Sequence, residues 1–105
     1  MACYLISEIE WLDTGPMQRY LHLVALSKQK YGGRYLVRGG DPQLLEGNGD
    51  VRRMVVTEFE SVEHAMRWWN SPEYAEAKAI RQPVTRCRVV LVDGVSEREL
   101  TGAAA

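Results

Sequence analysis

The sequence predicts an α+β fold: one antiparallel four-stranded sheet with helices on one face, in the order β-α-β-β-α-β. Three observations carry this. Segments that alternate apolar and polar residues are interleaved with segments of helical spacing. Gly-Pro at 15–16, Gly-Gly at 32–33 and 39–40 and Ser-Pro at 71–72 punctuate them as turns or helix starts. A chain of 105 residues suffices for one domain with one core.

The first strand is Cys3 to Glu10, with Cys3, Leu5, Ser7 and Ile9 on one face and Tyr4, Ile6, Glu8 and Glu10 on the other. Thr14-Gly15-Pro16 starts the first helix, whose stripe is Met17, Tyr20, Leu21, Val24 and Ala25. Gly32 and Gly33 are expected to end it, since glycine takes a positive φ without a Cβ penalty. Arg34 to Arg38 is the second strand, and the glycine-rich segment from Gly40 to Asp50 is a long loop that Leu44 and Leu45 would pin down. The third strand is Arg52 to Phe59. Ser61 caps the second helix, in which Val62, Ala65, Met66 and Trp69 form the expected core stripe and Trp68 lies at its boundary. Ser71-Pro72-Glu73 restarts a helix through Arg81. Arg86 to Val92 is the fourth strand. This order is that of the ferredoxin-like split β-α-β fold. The domain spans residues 1–95 and residues 96–105 form a C-terminal tail, of which Thr101 to Ala105 is expected to fray.

Helices cover one face of such a sheet, yet the valines of strands three and four fall on both faces. The uncovered apolar face predicts a homodimer, sheet to sheet across a two-fold axis. In this topology strands one and four are antiparallel neighbours, which puts Cys3 and Cys87 near opposite ends of the pair and makes a disulfide between them unexpected.

The formal net charge is -1, with acids and bases interspersed. No basic block points to nucleic acid or an anionic membrane, and no apolar run is long enough to span a bilayer. The N-terminus lacks the features of a signal peptide. Two cysteines without metal or redox spacing suggest cytoplasmic thiols. No metal site, phosphate loop or catalytic triad is recognisable, and no cofactor is expected.

The candidate catalytic residues are Arg38, Glu46, Tyr74, Arg88 and His64; the candidate substrate-binding residues are Trp68, Tyr35 and Asp41. Arg38, at the end of strand two, could hold an anionic or enolate oxygen, and Glu46, in the adjoining loop, could move a proton. The structural alternative is that Arg38 pairs with Asp41 or Glu46 and only orders the loop. Arg34 and Arg53 are further cations at strand ends, and His22 falls on the solvated side of its helix.

The string Gly32-Gly33-Arg34-Tyr35-Leu36-Val37-Arg38-Gly39-Gly40 resembles the DUF1330 family. The resemblance continues in Leu45-Glu46-Gly47, Arg53-Met54-Val55-Val56-Thr57-Glu58-Phe59, Ser71-Pro72-Glu73-Tyr74 and Val89-Val90-Leu91-Val92-Asp93-Gly94-Val95. It implies a dimeric α+β barrel and no particular reaction. Its wider superfamily includes antibiotic-biosynthesis monooxygenases, polyketide cyclases, muconolactone isomerase-like enzymes, haem-degrading enzymes and non-catalytic binders. In order and spacing, His64, Trp68, Tyr74 and Arg88 resemble the Asn-Trp-Tyr-Arg constellation of small quinone-forming monooxygenases, with His64 departing from the amide. Two readings follow. One is a cofactor-independent enzyme of oxygenase, cyclase or isomerase type, acting on a hydrophobic, enolisable or anionic metabolite, as in natural-product biosynthesis. The other is a non-catalytic small-molecule binder or structural dimer. An open cleft in which the polar candidates converge would separate them.

Overall fold

A computed structural model describes residues 2–96. Its elements are β1 (Cys3–Trp11), α1 (Met17–Lys30), β2 (Arg34–Gly39), β3 (Arg53–Phe59), α2 (Val62–Trp69), α3 (Pro72–Arg81) and β4 (Thr85–Asp93), with one turn of 3-10 helix, Gln82–Val84, before β4. The strands form a four-stranded antiparallel sheet in the order β2-β3-β1-β4, the ferredoxin-like arrangement. Of the 96–105 tail, residues 97–105 lie outside the described residues.

Register fixes the faces, because directly opposed residues share one. Cys3, Leu5, Ser7 and Ile9 of β1 are buried beneath the helices, opposite Phe59, Thr57, Val55 and Arg53 of β3. On the helix-free face, Val37, Val56, Ile6 and Val90 form one row across all four strands. Tyr4 and Val92 flank that row on one side, and Met54, Glu8 and Arg88 on the other. Cys3 stands opposite Asp93 and Cys87 opposite Ile9, so the thiols lie at opposite ends of the pair, and both are free.

The caps are those the sequence calls for. Ser61 Oγ accepts from the His64 backbone N–H, and Ser71 Oγ accepts from that of Tyr74, with Pro72 in the first turn. At the end of α1 the two glycines act differently. Gly32 alone of the pair has positive φ, at 81°. Gly33 is needed for space: a Cβ there would lie 2.9 Å from Phe59 ring atoms. The Gly33 N–H donates to the Lys28 carbonyl at 2.7 Å and the Gly32 N–H to that of Gln29 at 3.3 Å, a Schellman turn.

Two expectations are corrected. The tryptophans of α2 are reversed: Trp68 is 1% exposed, whereas Val62 and Met66 are 40% exposed and Trp69 is half-buried. The helix docks through Ala65 and Trp68, three residues apart, because Ser27 on α1 offers a buried acceptor to the Trp68 indole N–H at 2.9 Å. The rings of Phe59 and Tyr74 then close around Trp68, at 5.6 and 4.0 Å between centroids. The loop between β2 and β3 is likewise not pinned by both leucines. Leu45 is 92% exposed, and Leu44 sits beside Glu8, Val51 and Met54, towards the helix-free face.

Candidate functional site

The buried face of α1 continues past Tyr20 and Val24 to Ser27 and Lys28, one helical repeat further on. Lys28 therefore enters the interior, and the Schellman turn holds its carbonyl. Its Nζ donates to Thr57 Oγ1 at 2.8 Å and stands 4.5 Å from the centroid of the Tyr35 ring and 5.3 Å from that of Trp68. No carboxylate pairs with it among the described residues. Burial, and secondarily the Arg38 guanidinium, lower its pKa to about 7.

A β-bulge brings Arg38 to the same place. Simple alternation from Tyr35 would send Arg38 to the helix-free face. The register shifts between Tyr35 and Val37, so Val37 opposes Val56 on the helix-free face and Arg38 opposes Val55 on the helix face. The Arg38 guanidinium lies 5.1 Å from the Tyr35 ring centroid, so Tyr35 carries a cation contact to both Lys28 and Arg38. Arg53, opposite Ile9 in β1, lies against Gly39, where a Cβ would sit 3.1 Å from its Nη1.

Lys28, Tyr35, Arg38 and Arg53 line one cleft between α1 and the sheet, with Ser7, Trp11 and Tyr20 on its walls and Ile9, Leu21, Val24 and Val55 as its apolar surface. The Trp11 indole N–H is buried and without an acceptor among the described residues. Burial raises the Tyr35 pKa, which keeps its phenol protonated. Neither Arg38 nor Arg53 pairs with a carboxylate among the described residues. The cleft is thus rich in donors and cations, and its chemistry suits an anion with a small apolar part. Its free volume is about 20 Å³, room for a water molecule until a side chain moves. A second hollow of about 110 Å³ under α2, lined by Leu5, Ala65, Met66, Trp69, Val89 and Leu91, has no charged group.

Of the residues singled out in the sequence, the cleft gathers Tyr35 and Arg38, and Trp68 stands behind Lys28. The others lie elsewhere. Tyr74, on α3, is buried against both tryptophans of α2, and its hydroxyl accepts from Arg81 Nη2 at 3.2 Å. His64 belongs to a helix start: its Nδ1 is hydrogen-bonded to Ser61 Oγ at 2.6 Å, and its Nε2 lies 3.5 Å from a Glu60 oxygen. Arg88 is on the helix-free face near Ile6, Glu8 and Val90, because Cys87 and Val89 take the helix-facing positions of β4. His64, Trp68, Tyr74 and Arg88 therefore do not meet in one pocket of the chain. Asp41, at a φ of 55°, and Glu46 are exposed in the loop. Arg38 pairs with neither of them. Lys28, absent from the sequence-predicted residues, carries a legible signal all the same: it lies four residues beyond Val24, so a charge falls on the core stripe.

Among the described residues no three His, Cys, Asp or Glu side chains gather as metal ligands would, and no helix is long and apolar enough to cross a membrane. No curated protein matches the chain. Its fold is similar to that of RPA0582, a protein of unknown function from Rhodopseudomonas palustris, at 15% identity and a TM-score of 0.76, over 90% of this chain and 83% of that one. It is also similar to a dimeric ferredoxin-like protein of unknown function from Jannaschia sp. CCS1, at 13% identity and a TM-score of 0.64, over 90% of this chain and 100% of that one. A third similar structure is SnoaB, a cofactor-independent oxygenase from Streptomyces nogalater, at 8% identity and a TM-score of 0.65, over 90% of this chain and 94% of that one. Residues 2–95 match the family described as "Domain of unknown function (DUF1330)", and the chain belongs to that family.

Proposed function

We propose that the protein is a cofactor-independent enzyme whose cleft binds an anionic, enolisable metabolite, with Arg38 and Arg53 holding the anion. The observation that carries this reading is the convergence of Lys28, Arg38 and Arg53 on one cleft without a carboxylate partner among the described residues. Uncompensated cations in a partly desolvated site favour a negatively charged ligand, and stabilise an enolate more than its neutral parent. The likeness to a cofactor-independent oxygenase agrees with the class of chemistry, as an analogy of fold. Oxygenation, isomerisation and cyclisation of an enolisable substrate all pass through such an anion. The functional form is a homodimer through the helix-free faces, where the row Val37, Val56, Ile6 and Val90 would otherwise meet water.

The test is a melting and titration screen of small carboxylates against their neutral amides, followed by oxygen-uptake and proton-exchange assays on each hit. Carboxylates should raise the melting temperature and amides should not. Arg38→Gln and Arg53→Gln should each weaken carboxylate binding about tenfold or more. Equal binding of acids and amides would overturn the anion site. A binder without catalysis is the second reading. The small free volume of the cleft and the absence of the exposed Glu46 from its lining favour that reading, and carboxylate binding without turnover would support it.

A further inference from the structure

The cleft holds a nucleophile as well as an anion site. We infer that Lys28 Nζ is an imine-forming amine and that the ligand class is a small 2-oxo acid, its carboxylate held by Arg38 and Arg53 and its carbonyl carbon presented to Nζ. The inference rests on the anion-binding reading and adds the bond that forms.

The geometry supplies each requirement. Lys28 lines the cleft, and its Nζ is held by Thr57 Oγ1 at 2.8 Å. The Tyr35 and Trp68 rings wall it in, and no carboxylate among the described residues holds it as an ammonium ion. Desolvation beside a second cation favours the free amine, the form that attacks a carbonyl. The other lysines lack this setting. Lys30 is exposed and pairs with Glu73, and Lys78, on α3, lies over the Trp69 ring. The small cleft favours a ligand of few atoms, admitted when a side chain moves, and Ile9, Leu21 and Val24 give it an apolar surface suited to a short tail rather than a second charge.

In the reaction, the nitrogen lone pair forms the C–N bond and the carbonyl π electrons move to oxygen. Both protons of the amine end on that oxygen, which leaves as water. The product is a C=N double bond, with no change in net oxidation state. The resulting imine acidifies the neighbouring C–H, which connects the step to an enolisable substrate.

The experiment uses the intact protein with pyruvate and sodium cyanoborohydride, followed by mass spectrometry and peptide mapping. The expected result is a single adduct at Lys28, heavier than the free protein by pyruvic acid less one oxygen. L-Lactate, an anion without the carbonyl, should compete and slow trapping. Acetone, a carbonyl without the anion, should trap far more slowly. Arg38→Gln should slow trapping by pyruvate about tenfold or more, because it removes a charged contact to the carboxylate. If lactate and pyruvate bind in an Arg38-dependent way but no adduct forms at Lys28, the imine is overturned and the anion site stands. If neither acid binds and no adduct forms, both readings fall. Adducts on Lys30, Lys78 or the terminal amine to the same extent as on Lys28 would overturn the imine, since they would mark ordinary surface reactivity.

Discussion

Lys28 Nζ and the Thr57 hydroxyl meet at 2.8 Å in the interior of the protein, the lysine arriving from a helix and the threonine from the middle of the sheet. Thr57 is fully buried, so this contact anchors a titratable group inside the core rather than at its rim. Facing the amine are Tyr20 on its own helix, Tyr35 and Arg38 on β2, Arg53 on β3, Ser7 on β1 and Trp68 on α2.

A pH dependence follows from this contact. The folded pKa of Lys28 is about 7, below its usual 10.5, so between those values the unfolded chain binds a proton that the folded chain does not. Stability from this group therefore rises with pH across that window and is lowest at and below pH 7. Cys3, Cys87, Tyr35 and Tyr74 oppose the trend near its upper end, since burial raises each of them. Comparing wild type with Lys28→Met isolates the lysine. The variant's advantage should be greatest near pH 7 and narrow by up to about 1.4 kcal/mol per pH unit as pH rises. Urea unfolding of both proteins at intervals from pH 7 to 9.5 measures it, and a constant difference would mean that the amine titrates normally.

Trp68→Ala should cost more stability than Trp69→Ala. Removing the fully buried ring should cost ~3–5 kcal/mol, and the half-buried Trp69 should cost less. Trp68→Phe keeps most of the packing and deletes the bond to Ser27, which should cost about 1 kcal/mol. Midpoints in urea rank the three variants.

Gly33→Ala should destabilise by packing and Gly32→Ala by backbone strain. The new methyl at Gly33 would sit 2.9 Å from the Phe59 ring, an overpacking worth ~1–3 kcal/mol. At Gly32 nothing lies within 4 Å, and the cost of a φ of 81° is ~1–2 kcal/mol. Shortening Phe59 to Leu should relieve the first variant and leave the second unchanged, a double-mutant comparison by thermal unfolding.

Val90→Asp should convert the proposed dimer to a monomer. Val90 is 38% exposed in the single chain and lies in the row that also holds Ile6, Val56 and Val37. A carboxylate there would be desolvated on closure of the interface, in a row otherwise made of Ile6, Val56 and Val37. Sedimentation velocity at micromolar concentration reads the outcome. A wild-type monomer under the same conditions would refute the interface.

Glu46→Gln should leave both the melting temperature and carboxylate binding unchanged, within about 0.5 kcal/mol, because Glu46 is exposed and makes no ion pair among the described residues. Loss of ligand binding in this variant would instead make the loop a lid that closes in the bound state.

The element order was legible in the sequence because periodicity and caps are local. Ser61 and Ser71 cap their helices wherever those helices dock, and the alternation in β1 sorts Leu5 from Ile6 without reference to a partner. So too was the apolar character of both sheet faces. Tertiary structure decided what depends on how elements meet. The rotation of α2 turned on an acceptor, Ser27, supplied from another helix. The face of Arg38 turned on a bulge that shifts the strand by one residue after Tyr35, a change of pairing that alternation alone cannot register. Lys28 was written on the core stripe of α1, yet its meaning as a buried amine came from the absence of a carboxylate partner among the described residues and the presence of Arg38 and Thr57, which two other elements, β2 and β3, bring to it.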